Sequence, residues 1–95
     1  SNRNAEASAL HRRGIAILKR KLPADSTDLA DAMWELGGFL QIVGDYSAAQ
    51  PLMSKALSVF EKDADKRTNM SRRRATYATV LKEMGRGEEA AALRR

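Results

Sequence analysis

The chain writes "GDYSAAQPL" at Gly44–Leu52 and repeats its outline as "GRGEEAAAL" at Gly85–Leu93. A clipped version, "AEASAL", stands at Ala5–Leu10. Both full copies follow an apolar run with helical spacing. Glycine ends helices because it enters the left-handed region without a Cβ penalty. Alanine five places later leaves room for two helix backbones to approach. The frame Gly-x-x-x-x-Ala-x-x-Leu therefore reads as the turn of a helical hairpin, and its return reads as a repeat.

Sliding the sequence along itself supports this. A shift of 41 lays Leu40 on Leu81, Val43 on Met84, Gly44 on Gly85 and Ala49 on Ala90. A shift of 42 lays Ala7 on Ala49, Leu10 on Leu52, Ile17 on Val59 and Leu18 on Phe60. A fixed period of that length is the mark of a stacked repeat array. Within one period, Leu29, Met33, Leu36, Leu40 and Val43 advance by fours and threes, one stripe of an amphipathic helix. Ala49, Met53, Ala56 and Phe60 form a second stripe, flanked by Leu52, Leu57 and Val59. Two helices joined by so short a turn pack antiparallel. Gly37 and Ala78 are the matching small residues on the first helix of each pair.

The spacing predicts helices over about 4–20, 27–43, 46–62 and 67–84, with a last short helix from about 87. A loop with Leu22-Pro23 follows the first. Ser26 or Thr27 is the candidate cap of the second helix, Thr68 or Asn69 that of the fourth, and Asp45 favours the start of the third. Pro51 falls in the early turns of its helix, where a missing N–H costs least. No strand pattern competes, so the expected class is all-α, in one repeat domain over 1–95. The first helix matches the second half of a repeat and the last one is short. Both ends are expected to be open, as in an excerpt of a longer array or one that meets other chains.

Composition narrows the function. The 95 residues are 43% hydrophobic and 31% charged, as in a folded domain. Aromatics make up only 5%, so the core must be aliphatic. The absence of cysteine excludes disulfides, thiolate metal sites and a cysteine nucleophile, and fits a reducing, cytoplasmic setting. No apolar run reaches the length of a membrane span. The net charge of +5 raises nucleic acid, anionic surfaces and acidic segments as partners.

The residues "DLADAMWELGGFLQIVGDYSAAQPLMSKALSVFEK", Asp28–Lys62, together with "RRGIAILKRKLPADSTDLA", Arg12–Ala30, resemble the tetratricopeptide repeat. The long period is similar to that of kinesin light chains and their bacterial relatives. The C-terminal copy keeps Tyr77, Ala78, Leu81, Gly85 and Ala90, while Gly87 replaces the usual aromatic. The resemblance implies antiparallel hairpins stacked as a right-handed superhelical solenoid. It also implies a concave groove, lined by the first helix of each repeat, that holds a peptide segment of a partner. On those helices the residues opposite the packed stripe are Asp31, Trp34, Gly38 and Gln41, then Arg72, Ala75, Thr79 and Lys82. Gly38 and Thr79 stand where the family's peptide-holding asparagine would be. That departure argues against a chaperone-tail clamp and leaves a generic groove, with Arg72 and Lys82 as cationic contacts for an acidic or C-terminal segment.

Other residues carry less. Trp34, one place off the apolar stripe, reads either as an aromatic anchor for a partner or as packing against a neighbouring helix. The clusters Arg12-Arg13, Lys19-Arg20-Lys21, Arg72-Arg73-Arg74 and Arg94-Arg95 turn about 100° per residue and draw no single phosphate track. Solvated helix faces are the better reading, and the aromatic interleaving that single-stranded nucleic acid requires is missing. Arg74 occupies the place of Met33 in the other copy: either its stem packs while its head reaches water, or this copy's apolar face is weaker and the C-terminal hairpin frays, and the second reading is preferred. His11, aligned with Met53, reads as a core-edge residue. No triad, metal set, paired carboxylate or phosphate loop emerges. The expected function is a non-enzymatic, cofactor-free protein-binding scaffold. Self-assembly through the terminal helices is the alternative, and nucleic-acid binding ranks last.

Overall fold

A computed structural model describes residues 2–63 and 69–93. They form α1 (Asn2–Lys21), α2 (Thr27–Ile42), α3 (Tyr46–Lys62), α4 (Met70–Glu83) and α5 (Gly87–Leu93). No strand occurs among the described residues, so the all-α class holds. Arg67 and Thr68, expected to open the fourth helix, and the cluster Arg94-Arg95 lie outside the described residues.

Local chemistry sets the helix ends. The Ser26 hydroxyl accepts the Leu29 N–H at 3.4 Å and starts α2. The Asp45 carboxylate accepts the Ala48 N–H at 3.3 Å and starts α3. The two glycines of the repeated frame do the same work twice. Gly44 has φ +86° and Gly85 φ +77°, the left-handed region. Around Gly44, the Asp45 N–H donates to the Leu40 carbonyl at 2.8 Å and the Gly44 N–H to Gln41 at 3.0 Å. Around Gly85, Arg86 donates to Leu81 at 2.8 Å and Gly85 to Lys82 at 3.0 Å. Both are Schellman turns, and they satisfy carbonyls that a helix end would leave orphaned.

Each helix packs against its chain neighbours: α1 on α2, α2 on α3, α3 on α4 and α4 on α5. The core runs through them as a row, with Leu29, Leu36 and Leu40 of α2, Met53 and Phe60 of α3, and Tyr77, Ala78 and Leu81 of α4. Gly37 shows why small residues recur: a Cβ there would stand 2.5 Å from Met53 Cγ. The backbones of α2 and α3 approach at that point because no side chain intervenes. Between α3 and α4 the Gln50 amide donates to the Tyr77 hydroxyl at 2.8 Å, giving a half-buried polar pair its partner. The helix α3 passes through exposed Pro51 without ending.

Three expectations need correction. Asn69 precedes α4 but makes no side-chain cap bond. The first helix begins earlier and ends later than its apolar stripe, because Lys19, Arg20 and Lys21 suit a helix C-terminus. For Arg74 the reading that was not preferred fits: its guanidinium reaches the Glu61 carboxylate of α3 at 3.5 Å. A long side chain can lie along apolar surface and still bring its charge to water.

Candidate protein-binding face

The residues singled out from the sequence fall on two helices that flank the same aromatic ring. Phe60 of α3 is fully buried. Trp34 of α2 meets it edge-on, with ring centroids 6.3 Å apart and planes at 71°. From α4, the Arg73 guanidinium lies 4.2 Å from the centroid of the same ring. A T-shaped ring pair and a cation over a ring are both favourable arrangements for an aromatic side chain. Phe60 therefore ties α2 and α4 to one point on α3.

Trp34 is half-buried. It packs against Phe60 of the neighbouring helix, and part of the side chain stays open. Asp31, Gly38 and Gln41 of α2 are also half-buried. Gly38 has no atom within 4 Å of where a Cβ would stand, in contrast to its neighbour Gly37. On α4, Arg72, Thr79 and Lys82 are exposed. The Thr79 hydroxyl donates back to the Ala75 carbonyl at 3.2 Å, so its donor is already used within the helix.

His11 sits half-buried at the core edge, its ring 5.7 Å from that of Phe39. At the last turn the Arg86 guanidinium and Glu89 carboxylate form a two-pronged pair, with Nη2 to Oε1 at 2.8 Å and Nε bonded to Oε2. That hydrogen bond holds Glu89 below the ordinary carboxylate range, against a slight loss of hydration and with help from the charge of Arg86. The same bond raises Arg86. Among the described residues, no group of three or more His, Cys, Asp or Glu is placed to hold a metal ion. No helix among them is long and apolar enough to cross a membrane.

Sequence reasoning missed the role of Arg73, which was read only as part of a basic cluster. It also missed the Gln50–Tyr77 bond and the Arg86–Glu89 pair. Only the last had a local signal, an oppositely charged pair three residues apart at the start of α5. The other two join different helices and depend on how these cross. Compared with the models of known protein families and with curated proteins, the chain has no significant match.

Proposed function

We propose that this chain is a segment of a tetratricopeptide-like solenoid. On this reading it is a non-enzymatic scaffold that binds a peptide segment of a partner protein on the α2–α4 face, in a reducing compartment such as the cytoplasm. The observation that carries the reading is the setting of Trp34. An aromatic held in one orientation by Phe60, yet partly open, loses little conformational entropy when a partner covers it. Gly38, one turn along α2, leaves open space for a partner backbone beside that ring. Asp31 and Gln41 supply polar groups along the same helix, while Arg72, Thr79 and Lys82 are exposed on α4. Their charge favours an acidic or C-terminal segment.

The test compares capture of partners from a lysate by the wild type, Trp34→Ala and Gly38→Arg, at matched helicity by circular dichroism. Gly38→Arg fills the open space without touching the core, so it guards against reading lost stability as lost binding. Partners that disappear with both variants support the α2–α4 face. Partners retained by both remove it.

A further inference from the structure

The groove between α1 and α3, with α2 beneath it, carries charge that the fold does not call for. It encloses about 230 Å³. Buried Ile15 of α1 and Leu36 of α2 form its floor, and half-buried Leu52 of α3 forms one wall. The other wall is α1, with Ala16 and the exposed cations Arg12 and Lys19. No carboxylate lines it. Glu6 is the single carboxylate of α1, and α3 has none before Glu61. Among the described residues neither cation forms an ion pair, and Arg12 donates only a long hydrogen bond, 3.4 Å, to the Ser8 hydroxyl. The two cations stand seven residues apart, about 10.5 Å along the helix, with the apolar floor between them.

The repeat supplies an internal comparison. Shifts of 42 and 41 lay Ile15, Leu36 and Leu52 on Leu57, Tyr77 and Leu93, the corresponding positions on α3, α4 and α5. The burial agrees: Ile15 is 6% exposed and Leu57 5%, Leu36 1% and Tyr77 8%. Leu52 and Leu93 are both half-buried. The rim does not agree. Arg12 and Lys19 fall on Ser54 and Glu61, and Glu61 is already engaged by Arg74. The apolar lining is thus a property of the scaffold, whereas the cations are particular to the α1–α3 groove. Lys19 also suits the last turn of α1, but Arg12 stands mid-helix, where the dipole gives no reason for a cation. Both lie about 180–200° around α1 from Leu10, so a further helix stacked on the Leu10 side leaves the groove open.

We propose that the α1–α3 groove binds an extended acidic segment of a partner protein. One large apolar side chain of that segment enters over Ile15, Leu36 and Leu52, and carboxylates on either side of it pair with Arg12 and Lys19. An extended chain sets residues i, i+2 and i+4 on one face, the outer two about 13 Å apart at about 3.3 Å per residue. The long cationic side chains cover that span. The recognised pattern is therefore carboxylate, apolar, carboxylate at alternate positions. A phosphate backbone would match the cations and leave the apolar floor unused. The groove lies behind the α2–α4 face, since Trp34 stands about 200° around α2 from Leu36.

The test titrates the isotope-labelled 95-residue chain with the peptide Ser-Glu-Ser-Leu-Ser-Glu-Ser and follows backbone amide shifts by NMR. Shifts are expected at residues 12–19 and around Leu52, saturating as one site and weakening as salt is raised. Control peptides with Lys for both Glu, or Ser for Leu, should bind at least about tenfold more weakly. Arg12→Glu combined with Lys19→Glu should weaken the acidic peptide at least about tenfold, and the Lys peptide should then bind that variant. Lost stability cannot produce such a swap. Ala16→Trp, at an exposed position, fills the groove and should abolish binding at unchanged helicity. No shifts, equal binding of the control peptides, or binding unchanged by the double variant overturns the proposal. Shifts centred on Trp34 and α4 overturn it too, and assign the peptide to the other face. Tighter binding of a single-stranded oligonucleotide at the same residues overturns it in favour of nucleic acid. Trp34→Ala leaves this binding intact, so the two surfaces fail independently.

Discussion

Gly37 and Gly38 are adjacent on α2, and alanine at the two positions should shift stability in opposite directions. Replacing a helix-interior glycine gains up to about 1 kcal/mol, because the unfolded chain loses freedom and the helix gains a better former. At Gly38 nothing lies within 4 Å of the new methyl, so the full gain should appear. At Gly37 the methyl would stand 2.5 Å from Cγ of the fully buried Met53. Cγ is not the free end of that side chain, so Met53 must change rotamer or the helices must separate. Overpacking of this kind costs about 1–3 kcal/mol. Net, Gly37→Ala should destabilise by about 1 kcal/mol and Gly38→Ala stabilise by about the same, a difference of roughly 2 kcal/mol. For a domain of this size each kcal/mol moves the melting temperature by about 4–8 °C, so thermal denaturation followed by circular dichroism separates the pair easily. In a Met53→Ala background the clash is gone, and Gly37→Ala should become stabilising there. Equal stabilisation by both alanines in the wild-type background would refute the close approach of α2 and α3 at this point.

Gly44→Ala should cost about 1–2 kcal/mol in urea denaturation, and Gly85→Ala a similar amount, because both sites require positive φ and neither has a neighbour within 4 Å to add a packing effect. Tyr77→Phe removes the acceptor of the Gln50 amide and should cost about 1 kcal/mol. Gln50→Leu adds little further loss once Tyr77 is changed, which a double-mutant cycle measures. The Glu89 carboxyl titrates below its ordinary value of 4.5 in the folded chain, so its pair with Arg86 stabilises the fold above that pH. The stabilisation is lost as pH falls through the depressed folded value, once both states are protonated. Stability profiles of wild type and Glu89→Gln should therefore converge in acid and separate slightly toward neutral pH, with the separation shrinking in high salt. Profiles that stay parallel through acid remove the pair from the stability of α5.

Much of the fold was legible because its determinants are local. The apolar period placed α2 and α3 within a residue of their ends, since Ser26, Asp45 and Gly44 act on backbone groups a few residues away. Gly44 and Gly85 matched in sequence and proved to hold the same turn. The start of α4 was not legible in the same way: Asn69 is a residue type suited to capping, yet its side chain makes no cap bond. The choice between the two readings of Arg74 was not legible, because its partner, Glu61, lies on the preceding helix and is brought near only by packing. The candidate face divides along the same line. Periodicity puts Trp34, Gly38 and Gln41 on one side of α2, but that Trp34 meets the ring that Arg73 covers from α4 depends on two helix crossings.

The edge-on contact of Trp34 with Phe60 also makes the folding of this chain observable in parts. In a linear array each hairpin touches only its neighbours, so stability is a sum of unit and junction free energies rather than one global quantity. Trp34 is the only tryptophan, and its emission reports the junction of α2 with α3. Far-ultraviolet ellipticity reports every helix at once. If α4 and α5 melt first, ellipticity falls while the emission holds, and the lag between the two curves measures the nearest-neighbour coupling between hairpins. Coincident curves would mean that the helices joined through Phe60 unfold as one cooperative unit.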